Sequence, residues 1–193
     1  RSEFPQAAII ATGGSTEETI INRMITRFYG IITEEYLLRA AEMDMTIDEV
    51  VILASLIEKE AKTADFKKVS AVFHNRLNSD MMLQSDAAVK YMLGSNKLVF
   101  SSEELKTDSP YNTHLYKGLP VGPICNPGKA AIEAALWPDE TMIQDKYLYF
   151  CLKEPNSGEL VFARTLEEHN QNVAQYRTLW EQADAASGTD VNP

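Results

Sequence analysis

The chain has 193 residues, 45% of them hydrophobic and 24% charged, with a formal net charge of −10. This balance allows a packed core and excludes a disordered chain. The acidic excess argues against nucleic acid and anionic membrane surfaces as partners, since both are bound by basic patches. The longest apolar run, VVILASLI at 50–57, falls well short of the roughly 20 residues that span a bilayer.

The chain opens RSEF, with neither a methionine nor a signal-peptide pattern. It reads as a piece of a longer protein: a domain over 1–183 and a frayed tail over 184–193, with any membrane attachment supplied by a segment absent from this chain. Cys125 and Cys151 are too few for a disulfide framework and read as buried thiols. No metal-ligand spacing and no cofactor motif is present, so neither a metal nor a cofactor is expected.

In chain order, the apolar stretch 7–11 closed by Gly13 and Gly14 fits a strand or edge segment. Ser15 with Glu18 forms a capping pattern for a helix whose stripe is Ile20, Ile21, Met24, Ile25 and Phe28, and Gly30 ends it. A second helix covers 33–43. Phe66, Val69, Val72, Phe73 and Leu77 recur at helical spacing over 66–78. On that helix His74 reads as an exposed residue, and Asn75 and Arg76 as side chains that tie down neighbouring backbone. Residues 81–86 are short and extended, 87–93 helical, and 101–106 a short capped turn. From 107 to 128 the chain is irregular, with four prolines and three glycines among Tyr111, Asn112, Thr113, His114 and Tyr116. So long an irregular stretch points to a functional loop, here expected over a cleft. A helix over 129–136 stops at Trp137-Pro138. The runs 146–152 and 159–163 read as a hairpin around EPNSG, and Thr165 with Glu168 caps a last helix. His169 reads as packing near the start of that helix, since no second ligand has a suitable spacing.

The chain is organised around 46–62, TIDEVVILASLIEKEAK. Thr46 and Glu49 make a capping box. The segment that follows is apolar all round, as in a buried helix, yet it delivers Glu58 and Glu60 at its end. At about 100° per residue the two point to opposite sides, so a single cleft holds only one. Glu58 has Lys62 four residues ahead, an ion-pair spacing that marks it as structural. Glu60 has only Leu56, Ile57, Thr63 and Ala64 on its stripe. Apolar neighbours raise a carboxyl pKa, and a raised pKa is what a general acid at neutral pH requires.

Several segments together resemble the catalytic domain of the MltG/YceG family of endolytic murein transglycosylases. They are ASLIEKE at 54–60, VFHNRL at 72–77, LQSD at 83–86, SPYNT at 109–113, GLPVGPICNPG at 118–128, YLYF at 147–150, and Phe162 with EHN at 168–170. The resemblance implies an extracytoplasmic enzyme on a single-pass membrane anchor. It would cut peptidoglycan glycan strands internally and leave 1,6-anhydro-N-acetylmuramic acid ends. It implies Glu60 as the catalytic acid, in a lysozyme-like placement of one glutamate. Asn75, Gln84, Asp86, Tyr111, Asn112 and Thr113 are candidates for the groove wall, with Glu58 and Arg76 structural near the site. Asp86 reads equally as the N-cap of the 87–93 helix. Peptidoglycan strands are the implied partner, with cell-wall synthases as neighbours. A water-using, lysozyme-like hydrolase with Asp86 or Glu58 as second carboxylate, and a non-catalytic glycan-binding module, are the alternatives. The expected fold is α+β, a helical block around the buried 46–62 helix with a small antiparallel sheet.

Overall fold

The structure, a computed structural model, describes residues 16–187. The expected strand at 7–11 and the Ser15 cap lie outside the described residues. Helix α1, Glu17–Ile31, is capped by Thr16, whose hydroxyl accepts the Thr19 N–H, and it runs through Gly30 to Ile31. Its expected apolar stripe is largely on the surface, with Ile21, Met24 and Ile25 about half exposed. Only the last turn, through Phe28 and Ile31, reaches the core, so this core does not consume the stripe.

Helix α2, Glu34–Glu42, leads into the central helix α3, Ile47–Glu60. The Thr46 N–H donates to Glu49 Oε2 at 2.8 Å and the Glu49 N–H to Thr46 Oγ1 at 3.2 Å, so two of the orphan donors at the helix start are satisfied. Val50, Leu53, Ala54, Leu56 and Ile57 are wholly buried. Burying a large aliphatic side chain stabilises by about 1.5–3 kcal/mol, which makes α3 the main contributor to the core.

Helices α4, Phe66–Asn78, α5, Asp86–Leu93, and α6, Lys129–Leu136, surround it. The alanines of α6 at 131, 134 and 135 are buried and let it lie close against α3. His74 differs from its expectation: it is buried, and its ring Nε2–H donates to Ala135 O at 2.8 Å, joining α4 to α6. Burial pushes its pKa down, which favours the neutral ring. A short helix α7, Glu140–Gln144, not foreseen in the sequence, is capped by Asp139.

Strands β1, Tyr149–Glu154, and β2, Glu159–Ala163, pair antiparallel with Tyr149 opposite Ala163 and Leu152 opposite Leu160. A lone hairpin is marginal in water. Here Phe150 packs edge-on against Phe73 of α4 at 5.8 Å, and helix α8, Leu166–Ser187, lies along both strands. The Thr165–Glu168 capping box opens α8: the Glu168 N–H donates to Thr165 Oγ1 at 3.2 Å, and Glu168 Oε2 accepts the Thr165 N–H at 3.4 Å and the Arg164 N–H at 2.9 Å. The helix continues past the expected boundary at 183, because Asp184 is tied to the backbone of Leu98 and Val99.

The fold is α+β, a helical block around α3 with one hairpin against it. Leu53→Ala should lower unfolding free energy by about 2–5 kcal/mol in denaturant titrations, because the surrounding alanine-rich helices have little freedom to collapse into the space.

Candidate active site

Helix α3 stops at Glu60, and Ala61 turns away in an extended conformation. This stop delivers the Glu60 carboxyl to the first turn of α5. The Ser85 hydroxyl donates to Glu60 Oε1, and the Ala87 N–H donates to the same oxygen at 3.1 Å. Ser85 is itself the N-cap of α5 and is almost wholly buried. Its backbone N–H is held by Thr113 Oγ1 at 2.9 Å, and the Gln84 N–H by Thr113 O at 3.0 Å. Gln84 has φ of 49°, a left-handed conformation that costs a non-glycine residue on the order of 1–3 kcal/mol. The bonds from Thr113 and from Arg76 to this segment hold it there.

Glu60 lines an elongate cleft of about 520 Å³. The polar lining of the cleft includes Arg76, Gln84, Asp86, Lys90, His114 and His169, and its apolar lining includes Phe150, Leu152 and Leu160 of the hairpin and Val173 and Trp180 of α8. Arg76 is buried, donating to Leu148 O at 2.6 Å, to Leu83 O at 3.0 Å and to Gln84 Oε1 at 3.2 Å. Its guanidinium lies over Tyr149 at 5.1 Å, and Tyr149 stacks on His169 at 5.2 Å. His114 Nε2 is 3.3 Å from Asp86 Oδ1.

The Glu60 residue keeps some accessible surface, but its carboxyl is enclosed, and desolvation raises its pKa. The Asp86 carboxylate adds to the rise, while Ser85, the Ala87 amide and Lys90 oppose it. Both hydrogen bonds fall on Oε1, and Oε2 takes part in neither. Burial and the nearby Arg76 lower the pKa of His169, against the pull of Asp86, so its ring is held toward the neutral form.

Glu58 is turned away from the cleft. Its Oε2 accepts the Gly128 N–H at 2.5 Å, satisfying the start of α6. The expected ion pair with Lys62 is absent, because α3 ends at Glu60 and the helical spacing no longer applies; Lys62 runs past Gly158 instead.

Of the candidate groove residues, Gln84 and Asp86 line the cleft with Glu60. The other four do not, and the reason is chemical. The Asn75 amide is spent on Met142 O at 3.0 Å and Tyr147 O at 2.9 Å. The Asn112 amide is spent on Leu105 O at 3.0 Å and Thr107 O at 2.8 Å, while its Oδ1 accepts the His114 N–H. Thr113 braces 84–85, and Tyr111 packs against Tyr91 at 4.9 Å. The Tyr111 hydroxyl lies 3.1 Å from where a Cβ on Gly122 would stand, so a larger residue there would push the Tyr111 ring by a few tenths of an ångström. The 107–128 loop therefore buttresses the cleft from behind rather than covering it, and of its residues only His114 reaches the lining. Asp86 is the first residue of α5, not its cap.

Sequence reasoning missed Ser85 and the cleft-facing side of α8. Ser85 carries a signal, a hydroxyl one residue before a helix. Cys125 and Cys151 are free and half-buried, and burial pushes each thiol up to about 11. Among the described residues no cluster of His, Cys, Asp and Glu could hold a metal ion, and no helix is long and apolar enough to cross a membrane.

One desolvated acid, held on one oxygen, lines a cleft between the helical core and the hairpin. The model of the YceG-like family matches residues 7–175, and the chain belongs to that family. It is 41% identical over 90% of its length to an endolytic murein transglycosylase of Bacillus subtilis, and 34% identical over 86% to one of Streptococcus pneumoniae. A crystal structure of a yceG-like protein from Listeria monocytogenes superposes with a TM-score of 0.71 at 38% identity, over 84% of this chain and 51% of that one. The chain spans 46% and 31% of the length of the two curated relatives.

A carboxyl whose pKa is higher in the folded than in the unfolded chain takes up protons on folding, so stability falls as pH rises through that range. Glu60→Gln should therefore raise the melting temperature at pH 8, and the gain should fade toward pH 4. Glu58→Gln should lower it by weakening a charge-assisted bond, at a cost of about 1 kcal/mol or more. Calorimetry across pH checks both.

Proposed function

We propose that this domain is an endolytic peptidoglycan lytic transglycosylase in which Glu60 acts first as acid and then as base. The observation that carries the reading is the Glu60 carboxyl in the cleft lining, held through Oε1 alone by the Ser85 hydroxyl and the Ala87 N–H; desolvation and the nearby Asp86 push its pKa up. The names of the relatives supply the substrate class, the glycan strands of peptidoglycan.

The protonated carboxyl donates to the glycosidic oxygen between N-acetylmuramic acid and N-acetylglucosamine as the C1–O bond breaks and positive charge develops on the ring. The N-acetylglucosamine leaves with that proton as its new hydroxyl. The muramoyl C6 hydroxyl then attacks its own C1, and the Glu60 carboxylate takes the hydroxyl proton. The 1,6-anhydro ring forms and the acid is restored, with no water consumed. Gln84, in the cleft lining, would hydrogen-bond hydroxyl or acetamido groups near the reacting bond, and Arg76 holds its side chain through Oε1.

The water-using alternative keeps one candidate second carboxylate, Asp86, which lines the cleft beside His114; Glu58 is engaged elsewhere. A purely structural role for Glu60 is disfavoured, since an enclosed acid with a raised pKa costs stability at neutral pH. Action on the extracytoplasmic face, attachment to the membrane through a segment outside this chain, and cell-wall synthases as neighbours form part of the same proposal.

Purified peptidoglycan treated with the domain should yield muropeptides with anhydro ends, detected by mass spectrometry, and Glu60→Gln should reduce their formation by roughly 10²–10⁴-fold or more. Reducing ends in their place would favour the Asp86–water mechanism. Activity should decline as pH rises through the Glu60 pKa. Ser85→Ala removes a donor that favours the carboxylate, so it should move that alkaline limb to higher pH while lowering the rate.

A further inference from the structure

The cleft extends well beyond the group that does the chemistry. His169, Val173 and Trp180 all line it from α8, and eleven residues at 1.5 Å each make a wall of roughly 16 Å. The wall has two unlike ends. His169 stacks on Tyr149, which carries Arg76 on its ring, and this end holds Glu60 and its charged neighbours Asp86 and Lys90. Trp180 meets β1 three residues further on, where its Nε1–H donates to Leu152 O at 2.8 Å. The lining here is apolar, from Leu98, Leu105, Leu152 and Leu160, and the one polar group of Trp180 is already engaged.

This far end is built rather than incidental. The backbone N–H groups of Leu98 and Val99 donate to the Asp184 carboxylate at 2.9 and 3.0 Å, which fastens the Leu98 loop to the last turn of α8. Trp180 and Asp184 both lie beyond residue 175, where the match to the family model ends.

We propose that the far half of the cleft is a subsite for a further N-acetylhexosamine of the strand, and that Trp180 sets the preference for strand length. The inference rests on the glycan-cleaving reading above. A hexosamine ring offers a neutral apolar face and an acetyl methyl group, which suit an aromatic side chain among leucines with no charge to satisfy. The hydrogen bond to Leu152 O fixes the indole in advance, so little side-chain freedom is lost on binding.

The test is calorimetric titration of Glu60→Gln, chosen to slow turnover, with N-acetylglucosamine disaccharide and hexasaccharide. The hexasaccharide should bind more tightly than the disaccharide. Adding Trp180→Ala should shrink that gain about tenfold, while Trp180→Phe, which keeps an apolar ring, should retain most of it. Leu105→Asn alters the same wall without touching the indole bond and should also shrink the gain, so the outcome does not depend on one variant folding. An unchanged length gain in folded Trp180→Ala and Leu105→Asn overturns the subsite and leaves the catalytic reading intact. If neither oligomer binds any of the proteins, the subsite is overturned, and the glycan-cleaving reading stands or falls separately on the anhydro-ended products.

Discussion

The bond from the Ser85 hydroxyl to the Glu60 carboxyl is the constraint on which the site depends. An ionised carboxylate enclosed at the end of an apolar helix costs several kcal/mol of solvation (order of magnitude), so the environment favours the acid. Too many donors would reverse that and hold the group permanently charged. Here two donors share one oxygen, enough to fix the carboxyl in direction while desolvation and Asp86 still raise its pKa. Position and protonation are thus set by the same few atoms.

The rest of the polar structure serves that placement at a distance. Thr113 holds the backbone of 84–85, Asn112 holds the turn that carries Thr113, and Ser55, inside α3, accepts the Ile124 N–H at 3.0 Å so that the 107–128 loop is tied to the core helix. Arg76 gathers the carbonyls of Leu83 and Leu148, and so ties the segment before α5 to the segment entering β1. Buried polar groups of this kind are satisfied nearly completely, and removing one partner leaves the other stranded at the full desolvation cost. The helical block and the hairpin are consequently held in one arrangement around Glu60.

The parts legible in the sequence are those governed by local rules. The capping box at Thr46, the all-round apolar face of α3, the helical stripe of α4 and the hairpin around EPNSG follow from neighbours along the chain. That Glu58 and Glu60 face different surroundings also follows from local geometry, because two residues apart on a helix means opposite sides. The Lys62 ion pair that singled out Glu58, by contrast, does not form, and Glu58 holds the Gly128 N–H instead. What escaped depends on distant partners. An asparagine that binds sugar and one that binds a carbonyl look alike in sequence, so Asn75 admits both readings and takes the backbone-holding one, and Asn112, a groove candidate, likewise spends its amide on backbone. His74 looked exposed because the carbonyl of Ala135 that engages it lies 61 residues away. The stripe of α8 was readable as a helix face, but that it forms a cleft wall, and that Asp184 extends the ordered helix, comes from contacts with residues 98, 99 and 152.

The most direct test of the account is the titration of the Glu60 side-chain carboxyl itself, followed by carbon NMR in protein with labelled glutamate and assigned by its loss in Glu60→Gln. The account predicts a midpoint above the ordinary glutamate range, moving higher still in Ser85→Ala. A midpoint at or below that range, unaffected by Ser85, would mean that the carboxyl is a solvated, permanently charged group and that the acid proposed for this cleft is not there.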